Sequence, residues 1–404
     1  MNASTRLDPE QYLRFQSALD EPAADGALTD RERRVRRATR EIVASEIAPK
    51  SADLDITHAF PHEGVQALSK AGLGGLLFPV DLGGSGDSNV AYALTVEEVA
   101  AGCAATSLVF MTQMHTAYPI LLAGSAEQRR RYIPGLLSGD VYGSLAITEP
   151  EAGSDVSSLR TLATATPSGW ELTGQKTFIT TGDRAGVIVC FATIDRSRGR
   201  DAVTAFIVEG SWRGVSKGRP FDKMGMHASS TAELFFDRVD VPRENLLGEE
   251  GRGWDIVMRA VVKSRISAAA QGVGLARAAY GRALTALRDL YGSRIPDEET
   301  FALADLRGRI LQGRLLLHAV ARQVDDDPNV TPAHIGLMKQ QCTDLGFQAA
   351  VEAVRILGPH GDLVGLGVER CLRDAKVTQI YDGTNEIQRL LIGRETNRAL
   401  KELT

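Results

Sequence analysis

The hydrophobic period of this chain changes twice, and that constrains its architecture more than any other feature. From about residue 28 to 143, and again from about 251 to 404, apolar residues recur at helical spacing; between about 144 and 250 they alternate. A repeat near 3.6 residues puts one face of a helix in a core, and a repeat of 2 does so for a strand. In the first zone Thr29 stands as an N-cap ahead of an Arg/Glu-rich helix. Pro61 occupies the first turn of another helix, which ends near Gly72. The stretch 79–88, with Gly83, Gly84 and Gly86, is a loop, and residues 90–123 are buried helices. In the middle zone Val187, Val189 and Phe191 alternate, as do Val203, Ala205 and Ile207. In the third zone Ala268, Ala269, Ala270 and Gly272 permit close helix packing, and Thr331-Pro332 opens a helix with the stripe Ile335, Met338, Cys342 and Leu345. The expectation is an α+β protein, mainly α. It comprises a polar N-terminal arm (1–27), an N-terminal α-helical domain (28–143), a middle antiparallel β-domain (144–250) and a C-terminal four-helix bundle (251–404).

Charge and composition narrow the function classes. The 404 residues carry 46 Lys and Arg against 51 Asp and Glu, a formal charge of −5, which gives no electrostatic footprint for nucleic acid. Arginines cluster at Arg31–Arg40 and Arg129–Arg131, read as solvated helix faces. Cys103, Cys190, Cys342 and Cys371 lie far apart without ligand spacing, so no metal site is expected and a reducing compartment is. No apolar run nears the roughly 18 residues that span a bilayer. Residues 1–27 lack a hydrophobic signal core and carry Asp8, Glu10, Asp20, Glu21 and Asp25, which disfavours a transit peptide. A cytoplasmic location follows as an expectation. GxGxxG, Walker A, GxSxG and HExxH patterns do not occur in the sequence.

Two segments concentrate chemistry. Ala146-Ile147-Thr148-Glu149-Pro150-Glu151-Ala152-Gly153-Ser154-Asp155 reads as a strand end and a Gly/Ser turn. Its hydroxyls and exposed amides suit phosphates or the polar edge of a heterocycle; an ordinary β-turn has the same composition. In Arg373 to Arg389 one helix stops at Tyr381-Asp382-Gly383 and another starts at Thr384. A carboxylate at such a junction sits beside free helix-terminal amides, as a general base beside an oxyanion site would. Helix capping by Asp382 and Thr384 fits that junction equally.

Together these segments resemble the TEPxAGSD and RDAKxxQIYEGTNEIQR signatures of the acyl-CoA dehydrogenase superfamily. Gly174 to Thr180 is similar to its GxKxWIT strand, and Asp237 to Gly251 to the strand that leads into its bundle. The resemblance covers roughly residues 28–400 and implies an FAD-dependent dehydrogenation of an acyl thioester. A carboxylate takes the Cα proton and hydride leaves Cβ for flavin N5. It implies that Leu145, Ile147 and Thr148 lie along the flavin and that Gly153 and Ser154 meet the diphosphate or the thioester arm. Phe178, where the family usually has Trp, shields the ring; Thr180, Thr384 and Glu386 contact FAD. Asp382 stands at the base position, Gly383 leaves room for substrate, and Arg265 lies on the substrate side. It further implies an acyl-CoA or acyl-carrier-protein ligand, electron-transferring flavoprotein as acceptor, and a homotetramer or dimer in which a neighbour completes the FAD site.

Several positions depart from the family pattern. Asp382 replaces the usual Glu and withdraws the carboxylate by about 1.5 Å. Three readings follow: a pocket rebuilt around a shorter base, a proton taken elsewhere, as on a ring or at a γ position, or a weak or inactive paralogue. The rival functions are an acyl-carrier-protein-linked or cyclic acyl-CoA dehydrogenase with altered regiochemistry and a redox-silent flavin-binding partner subunit. Ser264 precedes Arg265, so the alternative Glu of some relatives is absent. The RxxFG box is missing, with Arg288 or Arg294 in its place, and Arg355 begins the segment that replaces Q-I-L/H-G-G-x-G.

Overall fold

The computed structural model describes residues 9–18, 20–327 and 330–401; Asp8 of the acidic arm lies outside them. The chain begins with α1 (Pro9–Ala18), α2 (Pro22–Asp25), α3 (Asp30–Ile42), α4 (Ser51–Thr57), α5 (His62–Lys70), α6 (Asn89–Gly102), α7 (Ala104–Ala123) and α8 (Ala126–Ser138). Thr29 caps α3 as expected, in a reciprocal box with Glu32. Pro61 is the N-cap of α5.

The middle of the chain forms β1 (Gly143–Ala146), β2 (Leu162–Thr166), β3 (Gly169–Thr180), β4 (Val187–Thr193), β5 (Val203–Glu209), β6 (Val215–Lys217), β7 (Thr231–Pro242) and β8 (Leu246–Leu247). They make one sheet in the order β6-β7-β3-β2-β4-β5-β8, with β1 against β4. Most pairs are antiparallel as expected, but β4 meets both β1 and β2 in parallel. Alternation reports which face a residue takes, not strand direction, so the sequence carried no sign of this. Every residue of β4 is buried. Val187, Val189 and Phe191 join the core shared with the helices, whereas Ile188, Cys190 and Ala192 join a second core with Trp170, Phe206 and Phe236.

Helices return as α9 (Gly253–Tyr291), α10 (Asp297–Asp326), α11 (Pro332–Ile356), α12 (Val368–Thr378) and α13 (Asn385–Lys401). The bundle thus holds three long and two shorter helices rather than four. The break between α12 and α13 is the Tyr381–Gly383 turn. Gly272 on α9 faces α11 so closely that a Cβ there would stand 2.4 Å from the Cys342 carbonyl oxygen. The small-residue run of α9 permits this backbone approach. The four cysteines are buried and free, and no helix among the described residues is long and apolar enough to cross a membrane.

One expectation is reversed. Arg36 and Arg40 of α3 are not on a solvated face; both are buried. Arg40 binds Glu98 at 2.7 Å and Asp20 at 2.9 Å, while Arg36 binds Glu98, Asp20 and Asp25. Arg277 of α9 bonds Glu97 at 2.6 Å and Glu98 at 3.0 Å; Arg314 of α10 reaches Glu97 at 2.9 Å and Asp25 at 3.1 Å. The four guanidinium groups meet four carboxylates, so the cluster is neutral. It also draws the expected polar arm onto the body: α1 buries Tyr12 and Gln16, and Gln16 accepts from Arg277 at 2.6 Å. Burial alone would raise the Glu98 carboxyl, but Arg277, Arg40 and Arg36 outweigh it and hold it well below the usual range.

Removing one member strands a buried charge. Glu98→Gln is expected to cost about 3–5 kcal/mol, read by urea unfolding of the whole chain. Glu97 and Glu98 are both depressed in the folded state. Their contribution is therefore complete above the unfolded carboxylate value of about 4.3 and is lost as pH falls below it. Acid destabilisation is expected to be shallower in Glu98→Gln than in the unaltered chain; equal slopes would count against this account.

Candidate active site

The Thr148–Asp155 segment is held by a buried ion pair. Glu149 meets Lys176 Nζ at 2.7 Å, with both side chains almost fully buried. The same carboxylate accepts the backbone N–H groups of Arg160 (2.5 Å) and Thr161 (3.0 Å), and Lys176 also donates to the Ile147 carbonyl at 2.9 Å. Thr177 N donates to the Thr148 carbonyl at 2.9 Å. These bonds lay residues 147–149 alongside β3. Leu145, Ile147, Thr148 and Thr180 are partly exposed there.

Two residues further along β3 the ladder with β7 slips between Lys176 and Ile179. Phe178 lies in the slip with φ of 55° and is 66% exposed. A left-handed aromatic turned to solvent is uncommon and marks a surface awaiting a partner. Its ring meets Phe221 at 5.2 Å. The segment after Phe221 continues to Met226, whose N–H donates to buried Asp374 of α12 at 2.5 Å. One segment therefore ties the Phe178 region to the helix that ends at the Asp382 turn. Gly153 has open space around it, and Ser154 is exposed.

Asp382 and Gly383 are both left-handed, with φ of 57° and 87°. A Cβ at 383 would stand 2.7 Å from Gln388 Nε2, so glycine is needed for space as well as conformation. The turn is pinned through its carbonyls. Arg265 Nε donates to Asp382 O at 3.3 Å, and Lys339 Nζ and Gln388 Nε2 donate to Gly383 O at 3.0 and 2.8 Å. Lys339 also holds Asn385 Oδ1 at 2.8 Å, and the Tyr381 hydroxyl donates to Gln271.

With its carbonyl thus engaged, Asp382 keeps a free carboxylate oxygen: Oδ2 is shielded and has no hydrogen-bond partner among the described residues. Burial pushes this carboxyl above the ordinary range, against the pull of His115, Lys339, Ser264 and Arg265. Burial lowers Lys339 to about 8 and Arg265 to about 10, with Asp382 opposing both shifts. Nearby, the Ser267 hydroxyl lies 3.0 Å from Tyr92 Oη and 3.2 Å from His115 Nε2.

The structure thus gathers Asp382, Gly383 and Arg265 at one turn, and Leu145, Ile147, Thr148, Phe178 and Thr180 along β1 and β3. Thr384 accepts from Ile387 N at 3.3 Å in the first turn of α13, where Glu386 is exposed. Arg288 and Arg355 are not drawn into either group. Arg355 binds Glu352 at 2.6 Å, and Arg288 is exposed at the end of α9. Sequence reasoning missed Lys339 and Ser267, which lie on α11 and α9, far along the chain from the Asp382 turn. Among the described residues, no group of three or more His, Cys, Asp and Glu is placed to hold a metal ion.

Comparison with known proteins gives three family-model matches. The acyl-CoA dehydrogenase N-terminal domain matches residues 29–140, its middle domain residues 144–239 and its C-terminal domain residues 251–396. An acyl-CoA dehydrogenase of Bacillus subtilis is 38% identical, over 91% of this chain and 98% of that protein. A cyclohex-1-ene-1-carbonyl-CoA dehydrogenase of Geobacter metallireducens is 35% identical over the same shares. The solved butyryl-CoA dehydrogenase of Megasphaera elsdenii superposes with a TM-score of 0.87 at 34% identity, covering 91% of this chain and 98% of that one.

Because Lys339 favours the charged form of Asp382, Lys339→Met is expected to move the Asp382 titration to higher pH. Carbon NMR of the labelled carboxyl group would read it; an unmoved midpoint would show that Lys339 acts only on the backbone.

Proposed function

This chain belongs to the acyl-CoA dehydrogenase family, and on that premise we propose that it desaturates the Cα–Cβ bond of an acyl-CoA thioester with Asp382 as the base. It is an oxidoreductase acting on CH–CH bonds. The observation that carries the role of Asp382 is its unpartnered, shielded Oδ2 on a turn whose Asp382 and Gly383 carbonyls are already engaged.

FAD is the cofactor and supplies the hydride acceptor when bound. The residues fit it: an exposed aromatic at Phe178, partly open Leu145, Ile147, Thr148 and Thr180 beside it, and unobstructed space at Gly153. Leu145, Ile147, Thr148, Phe178 and Thr180 would hold the ring system. Gly153 and Ser154 would meet its diphosphate or the thioester arm, and Thr384 and Glu386 would hold it from the α13 side. Arg288 and Arg355, exposed on the bundle, would serve a neighbouring subunit's diphosphate. Exposed Phe301, Leu315, Leu337 and Val351 on the bundle helices support a homotetramer. The same reading takes electron-transferring flavoprotein as the electron acceptor.

Asp382 accepts the Cα proton at Oδ2. Its raised affinity for protons brings it nearer to the acidity a base needs around neutral pH. Arg265 and Lys339 fix the turn so that the short carboxylate stays aimed. Gly383 keeps the approach clear beside it.

A second reading has specific support. The Tyr92–Ser267–His115 cluster gives this neighbourhood more polarity than a saturated straight chain needs, and one relative is named for a cyclic acyl-CoA. A ring substrate would also approach a shorter carboxylate differently.

Anaerobic mixing with a panel of acyl-CoAs tests both readings. The purified protein is expected to be yellow and to bleach with one class: straight-chain for the first reading, cyclic for the second. Bleaching by acyl-carrier-protein thioesters alone would replace CoA in both. Asp382→Asn is expected to keep flavin and lose reduction by about a hundred-fold or more. Since the base works only when ionised and its affinity for protons is raised, the reduction rate should rise with pH through a midpoint above the ordinary carboxylate range. Unchanged reduction in Asp382→Asn would remove the residue from the reaction.

A further inference from the structure

Helices α1, α4, α9 and α12 and the turn Val364–Leu366 enclose a cavity of about 340 Å³, at the small end of ligand-binding pockets. None of the residues that pin the Asp382 turn lines it. Three hydrogen-bond donors face it without adequate acceptors. Arg282 makes no ion pair with any described carboxylate, and the groups that act on it are Arg370, two thiols and Tyr12. Arg370 has one hydrogen bond, to Ser51 Oγ at 3.2 Å. The Tyr12 hydroxyl is buried and has no partner among the described residues.

The two guanidinium groups also converge. A Cβ on Gly367 would lie 2.9 Å from Arg282 Nη1 and 3.4 Å from Arg370 Nη2. Like charges brought together away from bulk water repel, and among the described residues neither guanidinium is closed by an ion pair; Asp55 and Asp374 act on Arg370 only without a direct pair. Of the carboxylates lining the cavity, Asp55 and Glu369 are bound to Arg373 at 2.6 and 2.9 Å, and Asp53 makes an interaction of its own. The contrast with the neutral cluster around Glu97 and Glu98 is direct: there every arginine is ion-paired with a carboxylate, and here, among the described residues, neither is.

We propose that this cavity is a binding site for a small organic monocarboxylate, separate from the site at Asp382. The carboxylate lies between Arg282 and Arg370 and accepts from Tyr12 Oη. Phe15, Pro49, Ala101, Val364 and Leu366 on the walls receive an apolar body and favour it over a bare inorganic anion. Glu369 Oε1, shielded and unpartnered on the same cavity, repels a second negative charge and disfavours dicarboxylates and phosphate dianions.

Calorimetric titration and thermal unfolding of the full-length, FAD-loaded protein test this, with sodium benzoate as probe, inorganic phosphate in parallel and sodium chloride at matched ionic strength. Benzoate is expected to bind saturably and raise the melting temperature beyond chloride. Arg282→Gln is expected to weaken it about ten-fold or more, and Tyr12→Phe several-fold, both with an unchanged flavin spectrum. If Arg282→Gln does not fold, Tyr12→Phe decides alone. No saturable response, an equal response in the variants, or binding of phosphate without benzoate would overturn the assignment.

Discussion

The neutral cluster of buried arginines and carboxylates around Glu97 and Glu98 is the constraint on which the rest of the structure depends. It joins α3, α6, α9 and α10 with the α1–α2 segment, and each of these helices has to present its charge at one depth and angle. A buried ion pair adds little net stability over apolar packing but is costly to leave half made. Its main effect is therefore on which arrangement of helices is allowed. Helix α9 carries this requirement furthest: Arg277 anchors it to α6, while Ser264 and Arg265, further along the same helix, stand at the Asp382 turn.

The site inherits its order from that scaffold. The Asp382–Gly383 turn has two consecutive left-handed residues, a conformation that survives only where surroundings over-determine it. Arg265 from α9, Lys339 from α11 and Gln388 from α13 supply this determination, all through backbone carbonyls. The carboxylate keeps one oxygen, Oδ2, unpartnered among the described residues. On the other side, the Glu149–Lys176 pair fixes the loop after β1 against β3 and leaves Phe178 turned outward at a slip in the ladder. Each half is held by interactions that do not consume its reactive surface.

Much of this was legible in the sequence because it is local. The Thr29 box, the Thr331-Pro332 start and the two changes of period each lie within a few residues of what they specify. The Asp382 junction was legible for the same reason, and its departure from Glu could be seen from the motif alone. What the sequence hid is non-local. Arg40 reads as part of a solvated run until Glu98, 58 residues away, arrives beside it. Lys339 reads as an ordinary helix lysine until Gly383, 44 residues on, folds back against it. Tyr12 and Gln16 lie in a stretch whose charge suggested a polar arm, yet Arg277 of α9 binds Gln16 and Tyr12 joins the shared core. Parallel pairing of β4 was hidden because alternation reports faces and not direction.

The central claim is that Asp382 takes a proton from the thioester's Cα. Exchange of substrate hydrogen with heavy water, followed by mass spectrometry and NMR of a bound acyl-CoA that cannot proceed to hydride loss, tests this most directly. The account predicts deuterium at Cα, at a rate that rises with pH and that Asp382→Asn suppresses by about a hundred-fold or more. Deuterium entering at a more distant carbon, or entering Cα equally fast without the carboxylate, would contradict it.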